Sequence, residues 1–140
     1  MSMAWSAGQQ LPSLEKLITL EQVARYAHAS GDANPIHLDP AFAAQSSFGR
    51  IVAHGMLGLA FVSDMLTQAF GEAWLASGRL RVRFRSPAYP GDQVVAYGQV
   101  TKSVPEGSER VVHCTVGLRR SDGQEIITGD ATVVLPGLND

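Results

Sequence analysis

Between Met56 and Phe70 apolar residues stand at 56, 57, 59, 60, 61, 62, 65, 66, 69 and 70, which at helical period covers most of the circumference. A helix of that kind has little face to give to water and must be wrapped by other parts of a structure. Ser63, Asp64, Thr67 and Gln68 interrupt the run, so it is too short and too polar to span a bilayer. The wrapping is therefore protein. From Arg79 the pattern changes: Leu80, Val82 and Phe84 alternate with Arg79, Arg81, Arg83 and Arg85, which marks a strand with one buried and one solvated face. SPAYPGD turns the chain, and strand-like runs follow at 93–101, 110–119 and 125–135, parted by VPEGSE and SDG turns. Helices followed by antiparallel strands give an α+β class, with the sheet rolled over the apolar helix.

The front of the chain is helical after an apolar lead-in. Gly8 to Ile18 carries Leu11, Leu14, Leu17 and Ile18 with a proline at 12, and reads as an edge strand or an irregular segment. Thr19 and Gln22 have capping-box spacing before an apolar stripe at Leu20, Val23, Ala24 and Ala27, which predicts a helix over 20–29. Gly31 stands where a left-handed cap would close it. Asp39 before Pro40 has the form of an N-cap with proline at the first helical position, opening a short helix over AFAAQSS.

Between those helices lies SGDANPIHLD, residues 30–39. The residue before a proline avoids the α region, and Asn and Asp bond readily to nearby backbone. A turn is expected, and a turn can point Asp32 and His37 into one pocket. A carboxylate and an imidazole gripping one water can take a proton at one atom and return one at another. Turn chemistry alone explains Asp32, Asn34 and Pro35. Asn34 is expected to brace the turn rather than to touch substrate.

SGDANPIHLD, followed by IVAHGMLGL at 51–59, resembles the signature of the MaoC-like dehydratases, specifically the R-specific enoyl-CoA hydratases. Gly31, Asp32, Asn34, Pro35 and His37 all stand in the family pattern, and the likeness runs from about Gly8 to Pro136. The resemblance implies a hot-dog fold, an antiparallel sheet wrapped around a long central helix, as one domain over 1–140 with 1–7 flexible. It implies hydration of trans-2-enoyl-CoA to (R)-3-hydroxyacyl-CoA, reversible as dehydration, with Asp32 and His37 sharing the acid and base work. Which of the two takes the first proton stays open.

That chemistry also needs an anion site for the thioester oxygen. The N–H of Gly55 qualifies, because the unpaired amides and dipole of a helix start favour negative charge. Gly55 could equally relieve crowding between helix and sheet. Ser63, eight residues along the same helix, could bond to Asp32, a role a serine at this place has in similar hydratases, or back-bond to its own helix. His54 could contact the acyl-thioester end or bond locally. His28, His113, Asp64, Asp92 and Asp122 are assigned no chemistry. The arginine ladder suits coenzyme A phosphates, with Arg83 and Arg85 nearest the turn, but alternating charge more commonly marks a solvated strand face. No cofactor is expected beyond the coenzyme A of the substrate. No metal is expected either, since the pattern around Asp32, Asn34 and His37 shows no second histidine at ligand spacing. The rivals are a hot-dog acyl-CoA thioesterase and a non-catalytic subunit that binds acyl thioesters.

Composition narrows the partners. Eleven basic against thirteen acidic residues, a formal charge of −2, and no basic cluster speak against nucleic-acid binding. A lone cysteine, Cys114, rules out an internal disulfide and a multi-thiolate zinc site. MSMAWSAGQQ lacks a basic region followed by an apolar core, so a cytoplasmic location is expected. A hot dog leaves helix surface and a strand edge open, and a second copy is the simplest cover; a homodimer is expected.

Overall fold

The computed structural model describes residues 5–137. Strand β1 (Leu14–Leu17) makes the lead-in an edge strand, and helix α1 (Leu20–Ser30) follows it. Thr19 Oγ1 accepts the N–H of Gln22 at 3.0 Å, and Gly31 closes the helix at φ 79°, a backbone shape that costs glycine little. Two short helices, α2 (Pro35–Leu38) and α3 (Pro40–Ala44), lead to α4 (Gly55–Phe70) and α5 (Glu72–Ser77). Strands β2 (Arg79–Phe84), β3 (Gln93–Glu106), β4 (Glu109–Arg120) and β5 (Glu125–Pro136) complete the chain.

The strands form one sheet in the order β1-β3-β4-β5-β2, antiparallel at every pairing. One face of it carries Val94, Ala96, Val112, Cys114, Val116, Leu118, Ile127, Ala131 and Val133, which with Leu57, Phe61, Val62, Met65 and Leu66 of α4 form the buried core. Each such large side chain contributes roughly 1.5–3 kcal/mol on burial, so this helix-in-sheet contact dominates the fold. It is the hot-dog arrangement.

Three expectations are refined. The bend at Asn34 is a turn into a helical segment, α2. The strands β3 and β4 extend to a tight turn at Gly107. The helix α4 is less enclosed than its composition implies: Met56 is 56% exposed, on the side away from the sheet. Beyond these, Glu72–Ser77 form a six-residue helix, α5, in which Trp74 buries itself against α4. Of the leading segment 1–7, residues 1–4 lie outside the described residues, while Trp5 packs edge-on to Phe70 with ring centres 5.1 Å apart.

Candidate active site

The turn between α1 and α2 is exposed from Gly31 to Pro35, so burial does not hold it. Local bonds do. Asp32 Oδ1 accepts the N–H of Asn34 at 3.3 Å, and Asn34 Oδ1 accepts that of Ile36 at 3.0 Å. Asn34 is thus the N-cap of α2, with Pro35 at its first position. One oxygen of Asp32 is committed to the turn, which leaves Oδ2 for other work.

His37 faces that oxygen. Its Nδ1 lies 2.6 Å from the carbonyl oxygen of Val52, and since a carbonyl can only accept, Nδ1 carries the hydrogen. In the neutral ring Nε2 is then a free acceptor, and it stands 3.9 Å from Asp32 Oδ2. That is too long for a direct hydrogen bond and suits an oxygen held between the two. The side chain of His37 is 13% exposed and that of Asp32 54%, so the pair has one sheltered and one open member.

Behind His37 lies His54, the N-cap residue of α4 and 3% exposed. The two imidazoles stack with centroids 3.7 Å apart and planes 21° from parallel. Nε2 of His54 donates to the carbonyl oxygen of Asp32 at 3.0 Å, and the ring of Tyr26 from α1 meets it edge-on at 4.8 Å. Of the two expected roles, the local bonding one describes these contacts. Sequence reasoning did not reach Tyr26, nor the stacking, because nothing in the spacing of 26, 37 and 54 brings them together. The fold does.

Gly55 follows at the first position of α4. The carbonyl of His54 accepts from Leu57 at 3.1 Å and Gly58 at 3.4 Å, while the N–H of Gly55 has no acceptor among the described residues. A Cβ there would meet Phe84 Cε1 at 3.1 Å. Gly55 and His54 line a cavity of about 320 Å³ together with Ile18, Phe48, Gly58, Phe84, Arg85, Ser86, Ile126 and Ile127. Asp32 and His37 do not line it. They adjoin it across Val52 and His54, which do.

Other candidates fall elsewhere. Ser63 does not bond to Asp32: its Oγ accepts from the indole Nε1 of Trp74 at 3.1 Å. Eight residues of helix rotate it about 80° from Gly55, toward α5. The absence of a nearby second histidine is also corrected, since ligand atoms of Asp32, His37 and His54 lie within 4.8 Å of one another. Their arrangement does not favour an ion: stacked rings aim their lone pairs side by side rather than at one point, and one nitrogen of each ring is bonded to a carbonyl. Arg85 lines the cavity and donates to Thr128 Oγ1 at 2.9 Å, while Arg83 is exposed on the edge strand. Asp64 pairs with Lys16 at 3.4 Å.

The family model described as MaoC like domain matches residues 6–121. The chain is 35% identical over 128 residues to the (R)-specific enoyl-CoA hydratase of Aeromonas caviae, covering 91% of this chain and 93% of that protein. It is 32% identical over 124 residues to the 3-hydroxybutyryl-CoA dehydratase of Methylorubrum extorquens, 88% of this chain and 76% of that protein. Among solved structures, the (R)-hydratase from A. caviae involved in PHA biosynthesis superposes with a TM-score of 0.80 at 32% identity, covering 96% of this chain and all of that one.

Proposed function

The chain belongs to the family of MaoC-like domains, and from that membership we propose that this hydro-lyase is an R-specific enoyl-CoA hydratase in which Asp32 and His37 activate water. The observation that carries the mechanism is the 3.9 Å gap between Nε2 of His37 and Oδ2 of Asp32. A water held there gives its oxygen to C3 of the enoyl thioester and a proton to the pair, which returns a proton to C2. Charge that develops on the thioester oxygen meets the N–H of Gly55, where the start of α4 favours an anion.

The cavity beside Gly55 offers apolar walls at Ile18, Gly58, Ile126 and Ile127, which suit an acyl chain. No cofactor is required, because the base, the acid and the anion site are all protein groups. Exposed Met56, Phe42, Phe48 and Phe84 and the open edge of β2 support a homodimer as the working form. Among the described residues no helix is long and apolar enough to cross a membrane, and a cytoplasmic location is part of the proposal.

The test mixes the purified protein with crotonyl-CoA and follows loss of the enoyl-thioester absorbance. Turnover to (R)-3-hydroxybutyryl-CoA, severely reduced in Asp32→Asn and His37→Ala, is the expected result. Release of free coenzyme A thiol instead would make the protein a thioesterase. No change with any enoyl-CoA would make it a binding subunit.

A further inference from the structure

Three contacts converge on His54. Its Nε2 holds the backbone carbonyl of Asp32 at 3.0 Å, its face stacks on His37 at 3.7 Å, and its edge is packed by Tyr26 at 4.8 Å. The residue is 3% exposed, and its Nδ1 is buried without a hydrogen-bond partner. A buried acceptor without a partner is destabilising, and a leucine or phenylalanine would fill the same space without that cost. Stability alone therefore does not call for an imidazole here. What distinguishes it from an apolar ring is the one donor it aims at Asp32.

We propose that His54 is a positioning residue that fixes the separation of Asp32 and His37 by gripping the backbone of one and the ring of the other. The turn that carries Asp32 is exposed and, apart from the His54 bond, is braced by short-range bonds of its own side chains and backbone. The bond from His54 ties that turn to the start of α4, a helix anchored in the core. The stack ties the ring of His37 to the same point, while the Val52 carbonyl fixes its edge. Without His54 the turn could drift relative to His37, and a misplacement of about 1 Å can cost on the order of 10²-fold in rate. Because α4 also carries Gly55, one residue along, His54 holds the proton-transfer pair in register with the proposed anion site. This role rests on the hydratase reading for its effect on rate, though not for its effect on the turn.

The test compares variants that differ in reach. His54→Gln places an amide N–H near where Nε2 stands, whereas His54→Asn carries the same amide one methylene short. His54→Phe keeps a ring to stack on His37 and has no donor. The expected result is kcat for crotonyl-CoA down about 10²-fold in the Asn and Phe variants, KM within about threefold, and at least tenfold of the loss recovered in His54→Gln. In an Asp32→Asn background His54→Phe should lower kcat no further, because residues that act as a unit are not additive. Amide exchange at Asn34 and Ile36 should speed up in the Asn and Phe variants and stay slow in Gln. The Gln and Asn pair decides the matter if the Phe variant does not fold. Equal kcat and equal exchange in the Gln and Asn variants overturn the proposal, as does a rise in KM with kcat intact, which would make His54 a substrate contact. Should the wild-type protein turn over no enoyl thioester, the hydratase reading falls by itself and the exchange comparison still decides whether His54 holds the turn.

Discussion

Nε2 of His37 stands 3.9 Å from Oδ2 of Asp32, with the far nitrogen of the ring bonded to Val52 at 2.6 Å and the other carboxylate oxygen bonded to Asn34 at 3.3 Å. Each partner thus spends one polar atom on holding itself in place and presents the other to the gap. Neither presented atom is satisfied by the other, because the distance exceeds hydrogen-bond range.

Removing either partner should therefore cost catalysis far more than stability. Asp32→Asn keeps the side-chain oxygen that the turn needs and loses the charge. Its hydration rate should fall by about 10²–10⁴-fold, with its urea midpoint near that of wild type. His37→Gln should show a similar loss. A variant that keeps more than a tenth of the wild-type kcat/KM with crotonyl-CoA would remove that side chain from the proton transfer.

Gly55 permits a cleaner separation of donor from shape. Proline is well suited to the first helical position, and His54, at φ −60° and ψ 135°, already has the extended backbone that a residue before proline prefers. Gly55→Pro should fold and lose only the N–H. Gly55→Ala is the control, because it adds a Cβ against the half-exposed Phe84 ring and keeps the donor. If the amide holds the thioester oxygen, Pro should fall on the order of 10²–10³-fold below Ala in kcat. Equal rates in the two variants would move the anion site elsewhere.

The bond between Ser63 and Trp74 gives a prediction about stability. Ser63→Ala leaves the indole N–H, on a side chain 7% exposed, without its acceptor. The expected loss is about 1–3 kcal/mol, read from urea denaturation. Trp74→Phe in the Ser63→Ala background should cost less than in wild type, since the unpaired donor leaves with the indole. Additive losses would mean that the 3.1 Å contact contributes nothing.

Elements set by local chemistry were legible in the sequence. Thr19, Gly31 and Asp39 end or begin helices where their side chains and backbone say they should, and the alternation in β2 to β5 declares the buried face of the sheet. The pair Asp32 and His37 was legible for the same reason, because five residues of turn bring them together. His54 was legible as a candidate beside the start of α4, but its stack on His37 and its bond to the backbone of Asp32 were not. Its neighbours come from α1, the turn and α2, so its burial appears only once α4 has docked. Ser63 failed as a partner for Asp32 because α5, too short to declare itself by period, brings Trp74 to its hydroxyl.

The interior of the sheet makes a last prediction, on alkaline stability. Burial pushes the Cys114 thiol from 9.0 up to about 11. Burial, and after it the bond and charge of Glu125, push the Tyr97 hydroxyl from 10.0 up to about 12, against a smaller opposing pull from Arg119. Both are acids whose folded values lie above their unfolded ones. As pH rises past 9 the unfolded chain therefore releases protons that the folded chain keeps, and stability falls with pH in that range. For Cys114, 2% exposed, the loss should reach about 1 kcal/mol by pH 10. Urea midpoints at pH 8, 9 and 10 should decline in wild type and decline less in Cys114→Ala, which cannot ionise at 114. The thiol should also resist a disulfide reagent at pH 8 until urea unfolds the sheet, because the thiolate is the reactive form. Equal slopes in the two proteins, or rapid labelling of the native state, would mean that the strand around Cys114 admits water.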